Sequence, residues 1–124
     1  MPHVVISGDA PGIDLSQDLV PLCYKDDAFR INTVNIYIER QGNQALISTV
    51  VIEEGHPQSF YILVTKSNTE NYLTVRLDPS TDPIKTRGVK RSIAVVAEDL
   101  IGRNPNLTIK RHNIQDYLDS QVSA

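Results

Sequence analysis

The chain has 124 residues, of which 40% are hydrophobic, 22% are charged and 6% are aromatic. A chain of this length can bury enough surface for one core, and its composition excludes a disordered tail, a collagen-like repeat and a disulfide scaffold. The formal net charge of −3 disfavours indiscriminate attraction to nucleic acid or anionic lipid. The sequence therefore predicts a single domain over residues 1–124.

The first 28 residues show an irregular pattern. Residues 4–6 are long enough for a short strand, and Gly, Asp and Pro residues then predict a loop over residues 7–12. Pro21 interrupts any long helix, so a single helical turn after Ser16 is expected. Residues 1–28 are therefore predicted to form an irregular N-terminal segment.

Residues 29–77 carry the clearest signal, an alternation of apolar and polar side chains with a period of two. The alternation changes phase near Asn32 and Thr33, which a β-bulge would absorb. Short turns separate four such stretches, and short connections force neighbouring strands to be antiparallel. This region is therefore predicted to be a four-stranded antiparallel meander. The side chains expected to face the core are Val34, Ile36, Ile38, Phe60, Ile62, Val64, Leu73, Val75 and Leu77.

The C-terminal part of the chain predicts helix. Apolar residues recur at helical spacing within residues 83–102, and Gly102 is a typical stop. Residues 107–124 are predicted to be a C-terminal arm and a short helix capped by Asn113. The predicted fold class is α+β: a four-stranded antiparallel β-meander with one long amphipathic helix packed on one face, and a short C-terminal helix.

One helix can shield only one face of this sheet, so the composition of the opposite face is informative. That face carries Tyr37, Tyr61, Tyr72 and Arg76. A sheet face that is exposed to solvent normally carries polar side chains only, so three tyrosines on one face are unusual. Such a patch indicates a surface covered by another part of the chain, a contact between copies, or a ligand surface. Nucleic-acid bases stack on tyrosine rings, so these four residues are candidate nucleic-acid contacts.

A second candidate lies at the start of the predicted helix. Lys85, Arg87, Lys90 and Arg91 are four of the twelve basic residues and fall within seven positions. A helix N-terminus offers unpaired backbone N–H groups to an anion, so this basic cluster is a candidate phosphate or anion contact. The alternative is a solvated charged face, because salt screens exposed charges.

No pattern typical of catalysis or metal binding is present. The three histidines have no metal-ligand spacing, and Cys23 is the single cysteine, so neither a metal site nor a cofactor is predicted. No nucleophile elbow or cysteine-protease signature occurs. The remaining enzymatic alternative is a small-molecule pocket around Asp9, Asp14 and His56.

The same features predict the compartment. No run of about 18 apolar residues occurs and the N-terminus lacks a secretory pattern, so no membrane partner is expected. A lone cysteine fits a reducing environment, and the sequence predicts a cytoplasmic protein.

The order of elements over about residues 29–100, a four-stranded meander followed by one helix, resembles that of Whirly-type and positive-cofactor-type single-stranded-DNA-binding regulators. Small cyanobacterial proteins of unknown function share that architecture. The resemblance implies single-stranded nucleic acid as a partner. The Lys-rich sheet signature of those families is not matched, since the basic residues between positions 29 and 77 are Arg30, Arg40, Lys66 and Arg76.

These patterns predict a non-catalytic, homo-oligomeric binding module with single-stranded nucleic acid as its candidate ligand. The alternative is a regulatory or assembly-factor protein that uses the same sheet face for protein contact. The third class is a small-molecule binder or enzyme.

Overall fold

The computed structural model of the chain describes residues 2–8, 12–67 and 69–114. These residues form seven strands and two helices. In chain order they are β1 (His3–Ser7), α1 (Leu15–Asp18), β2 (Cys23–Lys25), β3 (Phe29–Ile38), β4 (Gln44–Glu53), β5 (His56–Lys66), β6 (Tyr72–Leu77), α2 (Arg87–Arg103) and β7 (Thr108–His112).

The seven strands of the described chain form a single antiparallel sheet in the order β2-β3-β4-β5-β6-β1-β7, curled into a half-barrel. Strands β2 to β6 pair in the order in which they occur in the sequence, each antiparallel to the next. Short connections join each strand from β2 to β5 to the one that follows it. Strand β1 inserts between β6 and β7, which brings the two ends of the described chain together.

The predicted fold, a four-stranded meander with one long helix, is therefore wrong: the described chain is mostly β, with seven strands in one curled sheet. Only the antiparallel sheet and the presence of both helix and strand agree with the prediction. The four predicted strands are β3 to β6, and three more extend the sheet at both sides. Strand β2 has only three residues, too few for an alternating pattern. Strands β1 and β7 pair with each other across almost the whole chain, and no local pattern reports such a pairing.

The predicted β-bulge is confirmed. Thr33 pairs with Thr49 and Asn35 pairs with Ser48, so Val34 is the extra residue in β3. The bulge keeps Phe29 and Ile31 on the same side of the sheet as Ile36. The assignment of Val34 to the core is wrong, because its side chain is 50% exposed. The other eight side chains predicted to face the core do lie on the helix side of the sheet.

Both helices pack on one side of the sheet. Helix α2 buries Val89, Ile93, Val96, Ala97 and Leu100 in the core and contacts β1, β3, β4 and β6. Helix α1 is a single turn, as expected, but it begins at Leu15 and not after Ser16; the Asp14 carboxylate caps it, and Leu15 joins the same core. Neither helix of the described residues is long and apolar enough to cross a bilayer.

The long helix begins four residues later than predicted, at Arg87 instead of position 83. Thr86 is its N-cap, because the Thr86 hydroxyl accepts a hydrogen bond from the backbone N–H of Val89. The segment before it is held to β5 by Gln58, whose side chain exchanges two hydrogen bonds with the backbone of Ile84. The predicted short C-terminal helix lies outside the described residues, apart from its first positions.

Candidate binding surface

The side of the sheet away from α2 is called the open face here. Because side chains alternate along a strand, the strand registers fix which residues share that face. Its members include Lys25, Arg30, Asn32, Asn35, Tyr37, Leu46, Ser48, Val50, Ile52, Ser59, Tyr61, Leu63, Thr65, Tyr72, Thr74, Arg76, His3, Val5, Ser7, Thr108 and Arg111. Neither helix covers it, and Tyr37 is 54% exposed.

The charged residues of the described strands are basic with one exception, and of the basic ones Lys66 lies on the helix side. The ionised side chains at strand positions on the open face are all basic: Lys25, Arg30, Arg76 and Arg111. Glu53 is the only acidic residue within the described strands, and it lies on the helix side. A chain with a net charge of −3 thus places basic side chains at the strand positions of this face, and the carboxylate of Glu39 lies just beyond the end of β3, beside Tyr37.

Aromatic and apolar side chains lie between these basic groups. Across four neighbouring strand pairs, Tyr37, Leu46, Leu63, Arg76 and His3 are successive cross-strand partners. This cross-strand row runs perpendicular to the strands and is about 19 Å long at the usual strand spacing. A tyrosine pair forms one end of it.

The tyrosine pair consists of Tyr37 and Tyr61. Their ring centroids are 6.5 Å apart and the ring planes meet at 61°, an edge-to-face contact. Because Tyr37 stays 54% exposed, one ring of the pair remains accessible to a planar ligand. Tyr72, the first residue of β6, is 36% exposed and pairs with Ser7.

The opposite end of the cross-strand row opens into a cavity of about 510 Å³. It is lined by His3, Val5, Thr74, Arg76, Arg111 and Asn113. Arg76 pairs with His3, and Val5 pairs with both Thr74 and Arg111, so the lining comes from three adjacent strands. We call this cavity the arginine cavity. A smaller one of about 230 Å³ lies at the tyrosine end, beside Tyr37, Leu46 and Leu63.

The structure divides the predicted site residues between two places. Tyr37, Tyr61, Tyr72 and Arg76 share the open face, as strand parity predicts. The basic cluster of Lys85, Arg87, Lys90 and Arg91 lies at the beginning of α2, on the other side of the sheet.

The N-terminus of α2 is occupied by a carboxylate of the chain itself. Glu53, at the end of β4, accepts hydrogen bonds from the backbone N–H of Gly88 at 3.2 Å and from the Thr86 hydroxyl. The Gly88 N–H is one of the backbone donors that a helix N-terminus offers to an anion. The internal carboxylate also offsets the unfavourable placement of basic residues at this end of the helix.

Two members of the basic cluster are engaged in ion pairs. Arg91 donates to Glu98 at 2.9 Å and lies 4.9 Å above the ring of Tyr24, with both charged side chains about 15% exposed. Burial lowers the pKa of Arg91, but hydrogen bonds to Glu98 and Tyr24 outweigh burial and leave the pKa raised. Lys85 pairs with Asp82 at 3.2 Å on the surface. Arg91 therefore ties α2 to the β2 edge of the sheet.

Sequence reasoning missed His3, Arg111 and Lys25 as members of the open face. Alternation in β1, where Val4 and Ile6 are fully buried, is a signal that could have placed His3 there. Arg111 gave no such signal, because the β1–β7 register shifts between Val5 and Ile6 and the pairing is not local.

The residues of the enzymatic alternative do not come together. Lys66, at the end of β5, donates to the carbonyl of Ile13, the neighbour of Asp14, whereas His56 begins the same strand. Ten residue steps along a strand span about 33 Å. Asp9 lies outside the described residues. No group of three His, Cys, Asp or Glu side chains within the described ranges is placed to hold a metal ion.

Comparison with known proteins finds no match among family models, curated proteins or solved structures. The resemblance to single-stranded-DNA-binding regulators stays a prediction. What the chain does must therefore be inferred from the open face itself.

Proposed function

We propose that the protein is a non-catalytic module that binds single-stranded nucleic acid on its open face. The observation that carries this proposal is that the charged side chains at the strand positions of the open face are all basic. Cationic side chains contact phosphates, and the release of condensed counterions then drives binding.

The tyrosines supply the second element of such a surface. Base stacking on an aromatic side chain contributes about 1–3 kcal/mol and tolerates any sequence, since every base has a π-face. Tyr37 offers an exposed ring at one end of the cross-strand row, and Arg76 lies three strands away. A single strand can splay its bases onto such a surface, whereas a duplex keeps its bases stacked inside.

A titration of labelled oligothymidylate, followed by fluorescence anisotropy at two salt concentrations, tests the proposal. Affinity is expected to fall with salt, with a log–log slope of about −0.7 per phosphate neutralised. Y37A should weaken binding by about 1–3 kcal/mol with little change in slope, because it removes stacking. R76Q should reduce the slope by about 0.7, because it removes one phosphate contact.

The charge-matched control is R103Q. Arg103 ends α2, on the other side of the sheet, and pairs with Asp99 at 2.9 Å. R103Q should leave the salt slope unchanged. Equal losses in R76Q and R103Q would mean unspecific attraction, and no binding at low salt would contradict the proposal outright.

The second candidate function is contact with protein, including another copy of this chain. It is favoured by an apolar region of the open face, where Val34 is 50% exposed and Val50 and Ile52 are half-buried. A mass that increases with concentration, together with no response to oligonucleotide, would favour this candidate.

A further inference from the structure

The arginine cavity combines the features of a phosphate site. Two guanidinium groups, an imidazole and the polar side chains of Thr74 and Asn113 line it, and no carboxylate does so among the described residues. Guanidinium groups bind phosphate through two parallel hydrogen bonds, which fixes geometry as well as charge. Arg76 also donates from Nε to the Leu77 carbonyl at 3.4 Å. Because Arg111 adds a second guanidinium to the same cavity, a ligand that carries more than one negative charge is favoured.

The floor of the cavity is fixed. Val5 points to the open face, between its cross-strand partners Thr74 and Arg111, and is only 7% exposed. Asn113 accepts a hydrogen bond at 2.9 Å from the backbone N–H of His3, and its own N–H donates to the His3 carbonyl. These bonds hold the end of β7 against β1, so the walls are arranged before a ligand arrives.

Arg111 is the more exposed of the two arginines that line the cavity. Its side chain is exposed and makes no hydrogen bond or ion pair with any described residue. It projects from β7, which with β2 is one of the two edge strands of the described sheet, so the cavity lies at a margin of the open face. A ligand that runs along the cross-strand row from Tyr37 would meet the arginine cavity at its end.

We infer that the arginine cavity binds a phosphate monoester, the terminal phosphate of a nucleic-acid strand or the phosphate of a free nucleotide. A monoester carries a charge of about −1.5 to −2 at neutral pH, against −1 for each internal diester, and so matches two arginines better. The volume of about 510 Å³ exceeds that of one phosphate and leaves space for the attached sugar. If the ligand is the end of a nucleic-acid strand, this inference rests on the proposed function. If the ligand is a free nucleotide, the inference does not depend on the proposed function.

The experiment compares oligothymidylates of one length that carry a 5′-phosphate, a 3′-phosphate or hydroxyl groups at both ends. One phosphorylated end is expected to bind about tenfold more tightly than the unphosphorylated strand. R111Q should reduce that advantage to within about twofold, and R111K should restore part of it, since lysine keeps the charge without the two-point geometry. Circular dichroism verifies that each variant is folded.

The control variant is K110Q. Lys110 is exposed on the same strand and carries the same charge as Arg111, but it does not line the cavity. K110Q should keep the full advantage of the phosphorylated end. A loss as large as that in R111Q would overturn the inference, because it would indicate general attraction to β7.

A second arm measures binding of thymidine 5′-monophosphate and inorganic phosphate by calorimetry. Binding that R111Q abolishes, without binding of any oligonucleotide, would support the cavity with a free nucleotide as its ligand and contradict the proposed function. Oligonucleotide binding with no end preference, and no binding of either small phosphate, would overturn the inference and leave the proposed function standing. Phosphate binding that R111Q leaves unchanged would also overturn it.

Discussion

G8A is expected to destabilise the protein by about 3 kcal/mol or more, which lowers Tm by about 10 °C. Gly8 follows β1 with a φ of +139°, a conformation that L side chains rarely adopt. A Cβ at this position would lie 2.6 Å from the backbone carbonyl oxygen of Asn106 and 2.9 Å from the Leu107 side chain. Because the closest atom belongs to the backbone, the clash cannot be relieved by rotating a side chain.

The control for this substitution is G42A, which isolates the backbone cost. Gly42 has a φ of +81° in the turn between β3 and β4, with nothing within 4 Å of an added Cβ. G42A should cost about 1 kcal/mol from the left-handed conformation alone. Equal costs in chemical denaturation would show that the segment before β7 does not pack closely against residue 8.

G88A is the second large effect, with an expected loss of about 2 kcal/mol in the free energy of unfolding. A Cβ at position 88 would lie 2.6 Å from both the Glu53 Oε1 atom and the Val51 Cγ1 atom. The Glu53 carboxylate can move, but it would then leave the donors of the helix N-terminus. Val51 is buried and β-branched, so it cannot move without disturbing the core.

Gly102 provides the matched control within the same helix. Nothing lies within 4 Å of a Cβ added there, so G102A should stabilise the protein by up to about 1 kcal/mol through helix propensity. The two Gly-to-Ala substitutions in α2 should thus have opposite signs in a urea titration. Stabilisation by G88A would contradict the close approach of α2 to β4.

Most of the correct predictions from the sequence came from the alternation of apolar and polar residues along the strands. The period-two pattern placed Ile62, Val64 and Val75 in the core, and it placed Tyr61 and Arg76 on the opposite face. These assignments depend only on local alternation, which a single sequence contains. The bulge was predictable for the same reason, because a change of phase is also local.

The rest of the fold depends on pairings between distant segments. Nothing in the sequence of β1 indicates that it inserts between β6 and β7, so the arginine cavity was not predictable as a unit. Of its two arginines, Arg76 was found through the parity of β6, whereas Arg111 required the β1–β7 register.

The basic cluster is a pattern that the sequence does show, but its interpretation depended on groups that are distant in sequence. Four basic residues near a helix start suggested an external anion, yet the donors at that terminus bond to Glu53, which is distant in sequence. Arg91 likewise has partners within the chain: it forms an ion pair with Glu98 of the same helix and also contacts the ring of Tyr24 in β2. A charge run alone does not reveal which carboxylates the fold will bring to it.

The central claim, that the open face is a recognition surface for single-stranded nucleic acid, is tested most directly by NMR. Backbone amide shifts are recorded while oligothymidylate is added to the labelled protein. Binding on the open face should give the largest changes on β3 to β6 and β1, around Tyr37, Leu63 and Arg76, and small changes along α2. Changes concentrated at the start of α2, or none at any strand of the sheet, would contradict it.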